Sequence, residues 1–454
     1  MSASPLPRLR LSAPPLSGRI DTAVTLSTIA RLVASGVAVS KADLVAAAGL
    51  ARTTVSTAVD DLLARGVLRP DGTRPTAGRG RPADRLALSP RGGHVLLADV
   101  GARGAHLAVA DLRQQVLAHT HVDIDVKDGP DPVLREVETG LTALRAQVPG
   151  GVPVRALVIG LPGPVDGQLG IPVRPPIMPG WHAYPVEARL RTVFACPVIL
   201  ENDVNLRALG EARALPADQA PLLFVKVGTG IGGGLITREG TLHHGADGAA
   251  GDIGHIRVRG APDIACVCGN VGCIEAVASA NAIAHRLDAA AVARPGDTAA
   301  VARPGDTVAV GRQGDTVAVG RPGDTVAVGR QGDTVAPEAM TVADVRALIA
   351  RGDPTALGLV REAAALIGEV VATLVHFYNP ARVTLGGSVT AASDELLAGV
   401  RSVVYQRALP LATRNLVLTN SVLGEYAGLA GAMVLGIERV LSAEEIGALG
   451  QSRK

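Results

Sequence analysis

One glycine-rich stretch limits the folds open to this chain more than any other. In "VKVGTGIGGGL", residues 225–235, five glycines and one threonine fall within the seven positions from Gly228 to Gly234, close behind the apolar run "PLLFV" at 221–225. Glycine lets backbone N–H groups approach phosphate oxygens without an intervening side chain. The loop therefore predicts a phosphate site at the end of a buried strand.

The segments around this loop alternate between strand and helix patterns. Residues 94–124 read as three strands, residues 131–148 as a helix, and "ENDVN" at residue 201 follows a strand and begins a helix. With the turn "DVG" at residue 99, these patterns predict a two-lobed α/β nucleotide-binding architecture. We place a small lobe at residues 94–200 and a large lobe, with the C-terminal helix, at residues 201–440.

The N-terminal part, which we call the head (residues 20–90), has the pattern of a winged helix-turn-helix domain. A helix capped by Ser40, a turn at Gly49 and a second helix from about Arg52 precede two strands around the basic loop "GRGRP". Residues 1–93 hold thirteen Arg/Lys against six Asp/Glu, which favours DNA binding over an ordinary helical hairpin with a solvated loop. The residues expected to contact DNA are Arg52, Thr53, Thr54, Ser56, Thr57, Arg79 and Arg81.

A cluster of cysteines predicts a metal site. Cys266, Cys268 and Cys273 fall within eight residues, and His255 precedes them. In an intracellular protein such a cluster favours a metal over a disulfide, although a chance cluster is the alternative. Three cysteines and one histidine form a regular tetrahedral zinc set, and four protein ligands make the zinc structural. Cys196 stands alone and is interpreted as a core residue.

The order of the motifs resembles the ROK family (repressors, open reading frames and kinases), within the actin-like and hexokinase-like ATPase superfamily. Because of its head, the chain is similar to the family's transcriptional regulators in particular, from about residue 20 to residue 440. The matching stretches are "DVG" at 99, "GLPGPVD" at 160, "END" at 201, "VGTGIGGG" at 227, "GAAGDIGH" at 248, "CVCGNVGC" at 266 and "LGGS" at 385.

The resemblance implies a role for several residues. Asp203 would be the catalytic base of a sugar kinase, whereas from the residues alone it could equally be the N-cap of the helix that follows. His255 would give one ring nitrogen to zinc and the other to a sugar hydroxyl. The implied sugar contacts are Asn202, Asp203, Asp252 and His255. The implied contacts to ATP, bound with Mg²⁺, are Asp99, Gly101, Gly228, Thr229, Gly230, Gly232, Gly233, Gly386 and Gly387.

Two departures from the family's kinases, Arg103 and Ile177, weaken the kinase interpretation without excluding it, and a third, Asp252, bears on the ligand. Arg103 stands where a threonine is usual, and this cation could bind phosphate, fill the site or pair with an acid. Ile177 replaces an asparagine that often contacts sugar. Asp252 replaces a glutamate and is one methylene shorter, which alters ligand choice or affinity.

Two further segments carry no predicted chemistry. Residues 1–19 are rich in Pro, Ser and Arg and are expected to form a disordered arm without the apolar region of a signal peptide. Residues 291–335 contain five near-identical nonapeptides such as "AVGRQGDTV", interpreted as an inert loop insertion. The sequence has no run of eighteen apolar residues, so we expect no membrane span and a cytoplasmic location.

These features lead to one preferred function and two alternatives. The preferred function is a sugar-responsive transcriptional regulator, interpreted as a repressor of carbohydrate metabolism. It would bind operator DNA as a homodimer or homotetramer, and a sugar or sugar phosphate would close its cleft. The alternatives are an ATP-dependent, glucokinase-like hexose kinase and a zinc-stabilised scaffold that binds neither ligand.

Overall fold

A computed structural model describes residues 6–12, 21–74, 83–292 and 340–449 of the chain. The predicted wing residues Arg79 and Arg81 lie outside the described residues. So does the nonapeptide segment at 291–335, except for its first two residues, which end a helix. The roles expected of these segments stay predictions.

The head consists of three helices followed by a two-stranded antiparallel sheet. Ser40 caps the second helix by accepting a hydrogen bond from the Asp43 N–H, and Gly49 ends that helix with a φ of +62°. The first helix was not anticipated from the sequence. The elements are α1 (Thr22–Ser35), α2 (Lys41–Ala48), α3 (Arg52–Ala64), β1 (Leu68–Arg74) and β2 (Ala83–Leu88).

The small lobe is built on a five-stranded mixed sheet. Its strand order is β5-β4-β3-β6-β9, in which β3, β4 and β5 are antiparallel neighbours and β3, β6 and β9 run parallel. The elements are β3 (His94–Val100), β4 (Gly104–Asp111), β5 (Val116–Asp123), α4 (Pro130–Gln147), β6 (Val154–Leu161), the short pair β7 (Val165–Asp166) and β8 (Ile171–Pro172), α5 (Val186–Phe194), β9 (Val198–Asn202) and α6 (Asp203–Ala214).

The large lobe is built on a four-stranded sheet of order β11-β10-β12-β13. Strands β10 and β11 form an antiparallel hairpin around the glycine-rich loop, and the other two neighbouring pairs are parallel. The elements are β10 (Leu222–Val227), β11 (Ile231–Ile236), α7 (Ile274–Ala278), α8 (Ala280–Val292), α9 (Val342–Ala350), α10 (Pro354–Tyr378), β12 (Arg382–Gly386), α11 (Glu395–Arg407), α12 (Pro410–Thr413) and β13 (Val417–Asn420). Two final helices follow, α13 (Ala427–Val440) and α14 (Ala443–Ala448). The two-lobed α/β fold is thus confirmed.

From the sequence we assigned the C-terminal helix to the large lobe. In the structure it packs on the sheet of the small lobe instead. Successive strand residues face opposite sides of a sheet, and Leu96 and Ala98 of β3 share a core with α4 and α5. Val95 and Leu97 face the other way and share a core with α6 and α13. Helix α13 therefore completes the small lobe, because its apolar face covers the side of the sheet that α4 and α5 leave open.

The expectation of a disordered N-terminal arm is wrong for residues 6–12. Leu6, Leu9 and Leu11 are buried. The Leu9 N–H donates to Gln114 Oε1 at 2.6 Å, and the Gln114 side-chain amide donates back to the Leu9 carbonyl at 3.0 Å. Because three leucines at short spacing are buried and the backbone polar groups are paired, this segment is held in place despite its Pro- and Arg-rich composition.

The head docks onto the body through the last two helices. The Ser27 hydroxyl donates to the Leu441 carbonyl at 2.6 Å, and the Arg65 guanidinium donates to the Ile446 carbonyl at 2.9 Å. Buried residues of α1, α6, α13 and the small-lobe sheet form one continuous apolar core. Among the described helices, none is both long and apolar enough to cross a bilayer.

Candidate functional site

A cleft lies between the two lobes, and the space within it, including open solvent at its mouth, is about 840 Å³. The small lobe contributes Pro162–Pro164, Ile177 and the start of α6 to its walls. The large lobe contributes part of the glycine-rich loop, Gly248–Asp252, His255 and Glu275. All four residues implied to bind sugar line this one cleft: Asn202, Asp203, Asp252 and His255.

Asn202, not Asp203, caps α6. The Asn202 side-chain oxygen accepts hydrogen bonds from the N–H groups of Val204 at 2.9 Å and Asn205 at 3.1 Å, and its amide donates to the Gly163 carbonyl at 2.9 Å. The N-cap alternative for Asp203 is therefore excluded. The side-chain oxygen of Asn202 thus accepts two hydrogen bonds from the protein and its amide donates one. One amide N–H is left to bind a sugar.

The Asp203 carboxylate forms an ion pair with Lys226, which the sequence reasoning did not anticipate. Asp203 is almost fully buried at the start of α6, and the Lys226 ammonium on β10 donates to its Oδ2 atom. Lys226 is one of only four lysines among 44 basic residues. It lies two residues before Gly228, where the glycine-rich loop begins. A lysine at this place in a chain that rarely uses lysine was the sequence signal for a functional role.

Asp99, the acidic residue of the "DVG" turn, is also paired with an internal cation. Its side chain is fully buried, and the Arg207 guanidinium on α6 donates to its Oδ2 atom at 2.6 Å. Burial raises the pKa of Asp99, and the charge of Arg207 opposes that rise. Asp99 does not line the cleft. Both carboxylates that a phosphotransferase would use are therefore neutralised from within the protein.

The glycines of the loop have two different roles. Gly232 lies where a Cβ would approach a Val204 methyl carbon to 2.9 Å, and the Gly233 N–H already donates to the Gly251 carbonyl at 2.8 Å. These two glycines allow close packing of β11 and also line the cleft, so their expected contact with phosphate stays a prediction. Within the part of the chain that the structure describes, the N–H groups of Thr229 and Gly230 have no acceptor, and both residues line the cleft. Gly101, Gly228, Gly386 and Gly387 lie outside its lining.

The four predicted metal ligands converge on one point. Their ligand atoms all lie within 4.8 Å of one another. The Cys268 and Cys273 sulfurs are 3.7 Å apart, and Cys266 Sγ is 3.6 Å from His255 Nδ1. Tetrahedral zinc with Zn–S bonds of about 2.3 Å places its sulfur ligands roughly 3.8 Å apart, so the donor set fits this metal.

His255 links the metal ligands to the cleft. Its Nδ1 atom faces the cysteines, whereas its Nε2 atom lies 4.0 Å from Asp252 Oδ1 on the cleft side. This placement agrees with a ring that gives one nitrogen to a metal and presents the other to a ligand. The Asp252 side chain is about half exposed, so it is accessible from the cleft.

Glu275 is a cleft residue that the sequence reasoning missed. It follows the last cysteine ligand by two residues, lines the cleft and accepts a hydrogen bond from the Ile231 N–H at 3.0 Å. Burial raises the pKa of its carboxyl group. Its position directly after the predicted metal ligands was the signal that would have identified it.

A second missed pair fixes the loop that carries Asp252. Glu201 Oε2 lies 2.7 Å from His244 Nε2, and Glu201 Oε1 accepts from the Asn202 N–H at 2.8 Å. The hydrogen bond to Glu201 raises the pKa of His244. Glu201 therefore connects the loop after β11 to the end of β9, where Asn202 lies.

Arg103 pairs with an acid, which was one of the three alternatives that the sequence left open for its side chain. Its side chain is largely exposed, and its guanidinium lies 3.8 Å from Asp125 Oδ2. Ile177 lines the cleft and packs against the core of the small lobe. Cys196 is buried, as expected of a core residue, and burial raises the pKa of its thiol to about 11.

Comparison with known proteins identifies the family. The family model described as "ROK family" matches residues 96–439. The chain belongs to the ROK family. Among curated ROK relatives, a glucokinase of Halalkalibacterium halodurans is 30% identical over 60% of this chain and 73% of its own length. A putative xylose repressor of Caldicellulosiruptor sp. is 26% identical over 89% of this chain and 93% of its own length. The DNA-binding transcriptional repressor Mlc of Escherichia coli is 22% identical over 87% of this chain and 89% of its own length.

Solved structures of ROK proteins share this fold. A ROK family transcriptional regulator, a homologue of the E. coli Mlc protein, superimposes with a TM-score of 0.70 at 23% identity, covering 94% of this chain and 98% of its own. A ROK family glucokinase from Streptomyces griseus, in complex with glucose and AMPPNP, has a TM-score of 0.57 at 25% identity. It covers 76% of this chain and 99% of its own.

Proposed function

We propose that this ROK protein is a sugar-responsive transcriptional repressor that binds operator DNA through its head and a sugar in the interlobe cleft. The observation that carries the proposal is the continuous core between these two sites. Helix α6 begins at the cleft with Asp203, crosses α13 and shares its core with α1 of the head. A ligand that binds the closed and open cleft with different affinity can therefore bias the position of the head.

The exposed face of α3 supports DNA binding by the head. Val55 and Val59 are buried against α1 and α2, whereas Arg52, Thr53, Thr54 and Thr57 are exposed and Ser56 is half-buried. Ser56 also accepts a hydrogen bond from the Lys41 ammonium on α2 at 3.0 Å. Helix α3 is the second helix of the helix-turn-helix pattern, and short polar side chains with one arginine on its outer face are suited to contacts in the major groove of DNA. Relatives named as repressors align with the chain over the head as well as the body, which agrees with this role.

The zinc, the sugar contacts and the assembly belong to the same proposal. Zinc held by His255, Cys266, Cys268 and Cys273 would fix the histidine ring that faces the sugar, and Glu275 would join Asp252 and Asp203 as a hydrogen-bonding partner. A homodimer or homotetramer would present two heads to two half-sites, as is usual for operators. The cytoplasmic location stays a prediction.

We expect Arg52→Ala to weaken binding to promoter-region DNA by roughly 5- to 150-fold, the effect of losing one bidentate base contact. Fluorescence anisotropy at low salt measures this change. The control is Arg135→Ala, which removes an exposed arginine from α4 of the body and is expected to leave DNA affinity unchanged. If the unaltered protein binds no promoter-region DNA at low salt, the repressor proposal fails.

A hexose kinase is the second candidate function, favoured by the glucokinase relatives and by the loop Gly228–Gly230. A kinase needs Asp203 free to accept a hydroxyl proton and a carboxylate free to hold Mg²⁺. The ion pairs Asp203–Lys226 and Asp99–Arg207 oppose both requirements. Release of ADP from ATP in the presence of a hexose, abolished by Asp203→Asn, would establish the kinase instead.

A further inference from the structure

We infer that Lys226 makes the cleft selective for a sugar that already carries a phosphate group. This inference rests on the proposed sugar-responsive function and adds the class of effector. It names a residue to which neither the family resemblance nor the sequence motifs gave a role.

The Lys226 ammonium lies between the sugar-binding corner and the glycine-rich loop. A Cβ built on Gly228 would be 3.8 Å from Lys226 Cε, so the lysine side chain runs alongside the loop before it reaches Asp203. An ammonium group has three N–H donors. Because one of them is used by Asp203, two are left to face the cleft, which Lys226 lines.

Other hydrogen-bond donors lie around the same point. The N–H groups of Thr229 and Gly230 have no acceptor among the described residues. The Ser388 hydroxyl on the neighbouring loop is buried and has no hydrogen-bond partner in the described parts of the chain, and it would lie 3.6 Å from a Cβ on Gly228. A buried donor without a partner is unfavourable, so this arrangement is suited to an anion with several oxygens.

The position of Lys226 favours a phosphate on the sugar over the phosphates of ATP. Its ammonium contacts Asp203, which is one of the implied sugar contacts, so an anion that it binds lies next to a sugar oxygen. Lys226 is the only lysine or arginine that lines the cleft among the described residues. Arg103, the other cation expected near the phosphate, pairs with Asp125 on the exposed surface instead.

The test compares phosphorylated and free sugars by calorimetry on the full-length protein. The probes are glucose 6-phosphate and N-acetylglucosamine 6-phosphate, each with its free sugar, together with inorganic phosphate and ATP. We expect Lys226→Met to weaken binding of the sugar phosphate by roughly 10- to 100-fold, the effect of one charge-assisted hydrogen bond. The affinity for the free sugar is expected to change less than about 3-fold. Inorganic phosphate is expected to bind the unaltered protein weakly and Lys226→Met not at all.

Two controls make the measurement decisive. Because Lys226→Met leaves a buried carboxylate without its counter-ion, Asp203→Asn is compared with the double variant Asp203→Asn/Lys226→Met. The ratio of phosphorylated to free sugar affinity is expected to fall only when Lys226 is removed. Arg103→Met removes an exposed cation that pairs with Asp125 outside the cleft lining and is expected to leave this ratio unchanged.

Three results would overturn the inference. These are equal binding of free and phosphorylated sugars to the unaltered protein, binding of ATP but of no sugar phosphate, and a ratio that Lys226→Met does not change. Each of them leaves DNA binding by the head unaffected. Failure of this inference is therefore distinguishable from failure of the repressor proposal.

Discussion

Cys273→Ser is expected to lower the thermal stability of the protein and to abolish its bound zinc. Cys273 is fully buried, its sulfur lies 3.7 Å from that of Cys268, and it immediately precedes α7, which carries Glu275. Structural zinc contributes about 10–16 kcal/mol to folding in isolated zinc-finger peptides. In this larger body we expect a smaller loss, because Val258 is the one residue of segment 255–273 among the buried residues of the large-lobe core.

Metal analysis by mass spectrometry and thermal unfolding measure the two effects. The unaltered protein is expected to carry one zinc per chain, and prolonged chelation is expected to reproduce the loss of stability. Cys196→Ala is the matched control, because Cys196 is a buried cysteine outside the cluster, and this variant should keep its zinc. Stoichiometric zinc in Cys273→Ser, or its absence from the unaltered protein, would contradict the assignment.

Gly431→Ala is expected to destabilise the protein by about 3 kcal/mol or more, the upper range for overpacking a core. Helices α6 and α13 cross with their backbones in contact at this residue. A Cβ on Gly431 would lie 1.9 Å from the Leu206 carbonyl oxygen, and one on Gly210 would lie 2.2 Å from the Ala427 carbonyl oxygen. The two helices would have to separate, and α6 carries both Asp203 and Arg207.

The control for this variant is another glycine within a helix. Gly358 lies in α10, and a Cβ there would meet no atom within 4 Å. Gly358→Ala is therefore expected to stabilise the protein by about 0.5–1 kcal/mol, the ordinary gain in helix propensity. Denaturant unfolding gives both values. If Gly431→Ala proved as stable as Gly358→Ala, the close crossing of α6 and α13 would be wrong.

Features whose signal is local in sequence were predictable. The proposed zinc ligands fall in one short segment, so their types and spacing were sufficient to group them. Short apolar runs bounded by turn residues predicted the strands of both lobes, and Ser40 and Gly49 marked the two ends of α2. The order of the motifs supplied the rest of the fold, since each matched a stretch of one family.

Features that depend on distant residues were not predictable. Asp99 and Arg207 are 108 positions apart, and Asp203 and Lys226 are 23 apart. Nothing in the local pattern of a carboxylate indicates which cation the fold brings to it. The N-terminal segment was misjudged for a related reason, because its backbone N–H groups donate to Gln114, to Arg213 of α6 and to Glu438 of α13, which lie far along the chain. Composition alone predicted disorder there.

The most direct test of the central claim is a titration of the protein–DNA complex with sugar effectors. Labelled promoter-region DNA bound to the full-length protein is followed by anisotropy while free or phosphorylated sugars are added. The account predicts that a sugar shown by calorimetry to occupy the cleft changes DNA affinity by at least about 5-fold, the lower range of allosteric coupling. DNA affinity that stays constant while the cleft becomes saturated would contradict the account.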